Sequence, residues 1–265
     1  MLATVQSVLE RRPEVFRTMR LSAAGADSPE MTRLRDEIAG AFRLEPVVDR
    51  AQLLVSLRRA AGDDAAWELL VRTTARPLSA RAWRVCDLPG ALDATVAAAM
   101  ARLARPRPEE RYLNLACGSA TLLVERLQLG PAAAAVGVDL DASALDCARR
   151  NLAAAGASAA SLLVRGDVAG LAFPEDAFDT AAADLPFGQL SGSAEANRRL
   201  YPALLTEAAR VVAPGGACAV ITAHAAAFRA ALEENQPAWR VERRIGLRIP
   251  FARGYVTPSI WLLRR

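Results

Sequence analysis

Lysine is absent from this chain, histidine occurs once and cysteine four times in 265 residues. Each shortage removes a class of chemistry. With His224 as the single imidazole, Ser-His-Asp and Cys-His catalysis and most metal-hydrolase sites lack their usual base or ligand. Cys86, Cys117, Cys147 and Cys218 are scattered with no C-x-x-C pair, so no zinc or other metal site is expected. The opening MLATVQSVLERRPE lacks the basic, apolar and small-residue order of a secretory signal, so a cytoplasmic location with reduced cysteines is expected. No apolar run reaches transmembrane length, and no membrane partner is expected. Aromatic residues make up only 5%, yet 52% of the chain is hydrophobic and 23% charged, which excludes disordered, collagen-like and coiled-coil classes. What remains is a globular chain long enough for a large core.

The charge is unevenly placed. Residues 1–80 carry 12 arginines against 11 acids, residues 81–225 carry 13 against 15, and residues 226–265 carry 8 against 3. The basic excess therefore sits at the C-terminal end, and it consists wholly of guanidinium groups, planar forks suited to phosphates and base faces. An alanine- and arginine-rich, lysine-free composition is also what a GC-rich genome writes. The stretches 76–84 and 240–253 are the candidates for phosphate contact, with a solvated arginine surface as the competing explanation.

The chain changes character near residue 80, which predicts an α/β appendage with linker over 1–80 and a main domain over 81–265. In the appendage, Ser28-Pro29-Glu30 starts a helix whose face carries Met31, Leu34, Ile38 and Phe42. A hairpin follows, with Leu53, Val55 and Leu57 alternating before Gly62-Asp63-Asp64, and Trp67, Leu69 and Val71 after it. From residue 88 the order is helix, then strand and helix in alternation: strands at 112–116, 136–139, 161–165, 178–183 and 217–222, with helices between several of them. Such alternation predicts a Rossmann-like, doubly wound, mostly parallel seven-stranded sheet. The runs 241–249 and 259–263 have no helix between them and predict a terminal antiparallel hairpin.

In an open parallel sheet, ligands bind where strands end and loops begin. After the first strand comes Ala116-Cys117-Gly118-Ser119-Ala120-Thr121, small residues that let backbone N–H groups approach a ligand. The second strand ends in Asp139, placed for the two hydroxyls of a ribose, followed by Leu140. The third is followed by Asp167 and Val168, placed to meet an adenine amino group or to cap the next turn. A nicotinamide cofactor would also suit Asp139, but the glycine-rich fingerprint G-x-G-x-x-G is missing and only Gly118 stands in the loop. One glycine suits a ligand without a diphosphate, such as S-adenosylmethionine. The fourth strand runs into Asp184-Leu185-Pro186-Phe187-Gly188. A proline-fixed turn lets the Asp184 carboxylate and the Leu185 carbonyl accept the two hydrogens of an exocyclic amine, and Phe187 offers a face for a base. A tight turn with a buried phenylalanine is the plainer alternative.

The segment Asp184-Leu-Pro-Phe-Gly resembles the D/N-P-P-Y/F motif of amino-methyltransferases, in the D-L-P-F-G form of the RNA guanine-N2 branch. Tyr112-Leu-Asn-Leu-Ala-Cys-Gly-Ser-Ala-Thr-Leu-Leu-Val-Glu125 is similar to that family's D-P-x-C-G-S-G-T-x-x-I-E segment, with Asn114 and Ala120 standing where the family has Asp and Gly. The runs 200–216 and 75–84 fit as well. Over residues 50–265 the chain thus resembles class I methyltransferases of the THUMP-associated RNA guanine-N2 type that modify the tRNA acceptor stem, with residues 1–80 as a partial THUMP-like region. The resemblance implies S-adenosylmethionine held by Asn114, Ala116, Gly118, Ser119, Thr121, Asp139, Leu140, Asp167, Val168 and Asp184. It implies catalysis by Asp184, Leu185, Pro186 and Phe187 on the N2 amine of a guanine, with RNA, and tRNA in particular, as partner. Other acceptors stay open, namely adenine N6, a protein glutamine or a small amine, as does a noncatalytic RNA-binding protein with a relic fold.

Overall fold

A computed structural model describes residues 2–11, 15–60, 63–185, 194–251 and 254–265. The chain divides into two compact units, 1–80 and 81–265. The first unit contains α1 (Leu2–Arg11), β1 (Thr18–Ser22), α2 (Pro29–Phe42), β2 (Glu45–Pro46), β3 (Leu53–Ala60) and β4 (Asp63–Arg72). Ser28 caps α2 through Met31 N–H at 3.3 Å, with Pro29 in the first turn, as its sequence predicts. The sheet order is β2-β1-β3-β4, with β3 parallel to β1 and antiparallel to β4. Val5, Leu9, Phe16, Met19, Leu21, Ala39, Leu53 and Val55 form its core. The α1 and β1 elements were not legible in the sequence: Val5 and Leu9, and Met19 and Leu21, are too few to set a period.

The second unit begins with α3 (Ala94–Leu103), β5 (Arg111–Leu115), α4 (Thr121–Leu127), β6 (Ala134–Asp139), α5 (Ala142–Ala154) and β7 (Leu162–Arg165). It continues with β8 (Phe178–Asp184), α6 (Ala194–Val211), β9 (Val212–Thr222), α7 (Ala225–Glu234), β10 (Arg240–Gly246), β11 (Ile249–Phe251), β12 (Gly254–Val256) and β13 (Ser259–Arg264). Seven strands pair in the order β10-β13-β9-β8-β5-β6-β7. The five inner and far-edge strands from β9 to β7 run parallel, and β13 is antiparallel to both its neighbours. This is the doubly wound, Rossmann-like sheet expected from the alternation.

Strand alternation sorts the side chains between two layers. Leu113, Leu115, Ala181 and Ala183 pack with Tyr201, Leu204 and Phe228 on the α6/α7 side. Tyr112, Ala182, Ala219 and Ile221 pack with Met100, Leu123 and Leu152 on the α3/α4/α5 side. One buried ion pair closes the foot of β5: Arg126 meets Glu110, and further donors of its guanidinium reach Gly130 O, Arg107 O and Pro131 O, each at 2.9 Å. Such a pair is tolerable because each of the three guanidinium nitrogens has an acceptor, four of its five N–H donors being used.

One expectation is corrected. Cys86 and Cys147 form a disulfide, with Cα atoms 5.4 Å apart, while Cys117 and Cys218 are free and buried. The pair lies 61 residues apart in sequence, and nothing in that spacing signals that the chain ahead of α3 lies against α5. Among the described residues no helix is long and apolar enough to cross a membrane.

Candidate active site

Register fixes which residues meet at the carboxyl ends of the strands. Leu115 pairs with Val138 on one side and Ala183 on the other, Asp139 with Arg165, and Asp184 with Ile221. Ala116, Asp139, Arg165 and Asp184 therefore stand on one row across β8-β5-β6-β7, with Asp167 two residues beyond. At about 4.8 Å between strands that row spans roughly 14 Å, the length of a nucleoside joined to a small amino acid.

The loop after β5 is shaped by three left-handed residues, Ala116 (φ 46°), Gly118 (φ 53°) and Ala120 (φ 65°). Gly118 suits this conformation, and a Cβ there would meet nothing within 4 Å, so its backbone faces open space. Ala120 occupies it with its methyl fully buried, a conformation costing an L-residue about 1–2 kcal/mol. The loop is tied to the second strand: Gly118 N–H donates to Asp139 Oδ2 at 2.8 Å, and Asp141 N–H donates to Oδ1 at 3.0 Å. Each carboxylate oxygen keeps lone-pair capacity for a further donor. Leu140 is 63% exposed beside it. Asp167 accepts Ala169 N–H at 2.9 Å and is exposed. Ser119 and Thr121 are buried, their hydroxyls 3.4 Å apart.

Asp184 stands at the open end of β8, partly accessible, with no hydrogen bond to its carboxylate among the described residues. Burial pushes its carboxyl up to about 7. The neighbouring Tyr201 hydroxyl lies 3.0 Å from Thr222 Oγ1, and burial raises its ionisation point, with the Asp184 charge adding to the effect. Leu185 donates its N–H to Ile221 O at 3.0 Å and buries its side chain, leaving only its carbonyl for the role expected of it. Pro186 and Phe187 lie outside the described residues.

Two more of the residues expected at the cofactor have buried side chains. Val168 buries its side chain in the core. Asn114 is fully buried, donating to Leu115 O and Ala182 O at 3.3 Å, and its Oδ1 has no partner. An orphaned buried acceptor costs about 1–3 kcal/mol, and here it leaves the end of β5 able to take a donor.

Sequence reading missed the strut behind the loop. Asn151, on the buried face of α5, accepts Val85 N–H at 3.0 Å and Cys86 N–H at 2.9 Å, and donates to Cys86 O at 2.8 Å and Ser119 O at 3.0 Å. A polar residue between Cys147, Ala148 and Leu152 on an apolar helical face was the available signal. The arginines of 76–84 are also reassigned in part. Arg81 pairs with Glu125 at 2.6 Å, and Arg84 donates to Leu92 O at 2.7 Å and Thr121 Oγ1 at 2.9 Å, so both brace the protein rather than wait for phosphate.

The donor set is selective. Asp139, Asp167 and Asp184 give the row three carboxylates, which repel a diphosphate and attract a cation, so the charge agrees with the missing glycine fingerprint. Cys117 is no nucleophile: burial, then the Asp139 charge, hold its thiol well above the ordinary range. Among the described residues no three His, Cys, Asp or Glu side chains gather as a metal site. A cavity of about 350 Å³ lined by Arg102, Arg105, Arg243 and Arg264 also contacts Ala217–Ala219, toward the opposite ends of the strands, and is separate from this row.

Comparison with known proteins identifies a family and a fold. Residues 81–249 match the UPF0020 family, described as an RMKL-like methyltransferase domain. A tRNA (guanine(6)-N2)-methyltransferase of Thermus thermophilus is 36% identical over 165 residues, covering 61% of this chain and 48% of that protein. The tRNA (guanine(6)-N(2))-methyltransferase THUMP3 of Mus musculus is 27% identical over 189 residues, covering 67% of this chain and 37% of that one. This chain thus spans half or less of these relatives' length. The crystal structure of TrmN from Thermus thermophilus superposes with a TM-score of 0.71 at 28% identity, covering 100% of this chain and 78% of that one.

Proposed function

Since the chain belongs to the RMKL-like methyltransferase family through residues 81–249, we propose that it methylates the exocyclic N2 amine of a guanine in RNA, with tRNA as the substrate and S-adenosylmethionine as donor. The observation carrying this reading is the common row of Asp139, the Gly118 loop and Asp184 at the strand ends. The three carboxylates and the orphaned Asn114 acceptor fit a cationic nucleoside with an ammonium group. Asp139 and Asp167 would hold its ribose and adenine, Leu140 would cover the adenine face, and the Ala116–Thr121 backbone with Asn114 would hold its amino-acid end. When bound, S-adenosylmethionine supplies a methyl group already made electrophilic by its sulfonium.

The chain's own task is to position and activate a poor nucleophile. A guanine N2 amine lends its lone pair to the ring. Hydrogen bonds donated by its two N–H groups to the Asp184 carboxylate and the Leu185 carbonyl localise that pair. As positive charge develops on nitrogen, the same acceptors bind it more tightly, which is stabilisation specific to the transition state. Asp184, with its carboxyl near 7, then takes the proton that the methylated amine releases. Phe187 offsets part of the cost of unstacking the base. Residues 1–80 act as a partial THUMP-like appendage, and the site of action is the cytoplasm.

Incubation with methyl-labelled S-adenosylmethionine and total RNA, followed by digestion to nucleosides, tests this. Label is expected in N2-methylguanosine and is expected to vanish in Asp184→Ala. Label in N6-methyladenosine, or in protein alone, overturns the acceptor assignment. Failure to bind S-adenosylmethionine favours a noncatalytic RNA-binding protein.

A further inference from the structure

Between β10 and β13 the chain does not turn directly. Gly246 pairs with Ser259, Leu247 N–H donates to Pro258 O at 2.8 Å, and the residues beyond build a separate ladder in which Ile249 pairs with Val256 and Pro250 with Tyr255. This β11–β12 ribbon joins no other strand among the described residues. Its foot is in register with the candidate active site: Ser259 pairs with Thr222, Ile260 with Ile221, and Ile221 with Asp184. The ribbon therefore leaves the sheet at the Asp184 end, two strands over, roughly 10 Å across at ordinary strand spacing. That is the reach of a nucleotide adjoining one held at Asp184.

Its chemistry is one-sided. Residues 243–258 contain four arginines and no carboxylate. Nearer the foot, the cations have structural work: Arg244 stacks 4.9 Å from the Trp261 ring and bonds Ser259 Oγ at 3.1 Å, while Arg264 is held by both Glu242 oxygens at 3.1 Å. On the ribbon the arrangement differs. The Arg248 guanidinium lies 3.8 Å from the Tyr255 ring centroid, Tyr255 is 58% exposed, and Arg248 has no carboxylate partner among the described residues. A two-stranded ribbon has little stability to spare, so an exposed aromatic ring there, carrying an uncompensated cation, is better explained by a ligand than by packing.

We propose that Arg248 and Tyr255 form a nucleotide clamp, which takes a base adjoining the target guanine, once that base is unstacked, against the stacked pair while the Arg248 N–H edge contacts the linking phosphate. A guanidinium on an aromatic ring offers a flat face to any base and keeps its in-plane donors free for a phosphate oxygen. The clamp rests on the RNA reading above and assigns part of that substrate's footprint. Its residues position the RNA and take no part in the methyl transfer itself.

The test uses the full chain, a short fluorescein-labelled single-stranded RNA for anisotropy, and unmodified tRNA as methyl acceptor. Tyr255→Ala is expected to raise the RNA Kd and the tRNA KM about tenfold with kcat and S-adenosylmethionine affinity unchanged, the ordinary loss of one base stack. Tyr255→Phe restores most of it, because the ring and not the hydroxyl is used. Arg248→Ala lowers the steepness of the salt dependence by about one phosphate contact. Wild-type RNA affinity, KM and salt dependence in both alanine variants overturn the clamp. If the wild type methylates guanine N2 and the variants match it, the clamp alone falls. If RNA binding weakens in Tyr255→Ala yet no RNA is ever methylated, the clamp stands and the methyltransferase reading falls. If the wild type binds no RNA, both fall.

Discussion

Asp184→Asn keeps the shape of the side chain and removes its charge, so it separates what the carboxylate does for catalysis from what it costs the fold. Burial lifts this carboxyl from 3.8 to about 7. About three pH units at about 1.4 kcal/mol each correspond to about 4 kcal/mol, and solvent at the open end of β8 screens this to about 2 kcal/mol. The folded chain holds the proton to higher pH than the unfolded chain does, so between about pH 4 and 7 stability falls as pH rises. Below that window both states are protonated and the penalty is absent, and above it the penalty is complete. Asparagine never ionises and escapes it. Asp184→Asn should therefore be more stable than wild type by about 2 kcal/mol at pH 8, with the advantage shrinking towards zero near pH 4. Urea unfolding followed by tryptophan fluorescence reads this out, since Trp83, Trp239 and Trp261 are all buried in the second unit. The same variant should bind S-adenosylmethionine and transfer no methyl group. A stability difference independent of pH, or a destabilised variant at pH 8, would refute desolvation as the dominant force on Asp184.

The same proton sets a kinetic expectation: kcat/KM for RNA should rise with pH through an inflection near 7 as the Asp184 carboxylate becomes available, and a flat profile from pH 5.5 to 8.5 would remove it as proton acceptor. Asp139→Ala takes away the acceptor of the Gly118 and Asp141 N–H groups and should weaken S-adenosylmethionine by about 1–3 kcal/mol in calorimetry, with kcat at saturating donor nearly intact. Asn151→Ala strips four buried hydrogen bonds and should cost about 3 kcal/mol in urea unfolding while also lowering donor affinity through the freed Ser119 carbonyl; an effect under about 1 kcal/mol would show the strut to be dispensable. Reducing the Cys86–Cys147 disulfide, which closes a loop 61 residues long, should cost about 2–4 kcal/mol, and four reactive thiols in the unfolded, unreduced protein would show that the bond is not formed.

Regular elements with short, uniformly apolar strands were legible because burial on both faces writes a continuous hydrophobic run, and the acid that follows marks where burial stops. That is why β5, β6 and β8 and the positions of Asp139, Asp167 and Asp184 could be read directly. Elements held by few landmarks could not. Helix α7 is alanine-rich and buries only Phe228, Ala231 and Leu232, and α6, whose body from about Tyr201 to Val212 was legible, begins earlier, at Ala194, in turns reading Ala-Glu-Ala-Asn-Arg-Arg with little apolar signal. Long-range partners were equally silent: the Cys86–Cys147 bond and the Asn151 strut both join α5 to the chain ahead of α3, and no local period records such a pairing.

The division between what was legible and what was not follows the division of labour in the site. A donor common to many acceptors can be held by strand ends and their first loop residues, whose conformation the sheet imposes, and these carry sequence patterns set by backbone geometry. The acceptor must be chosen by segments that the sheet does not dictate. Here the inserted ribbon between β10 and β13 meets that description, and its foot is fixed to the same row of strand ends by the pairs Gly246–Ser259 and Ser259–Thr222. It follows that substitutions at the ends of β5 and β6 should act through donor affinity and substitutions on the ribbon through RNA affinity. The two sets should be additive, since the ribbon and the Asp139 end of the row lie on opposite sides of Asp184 and share no side-chain partner among the described residues.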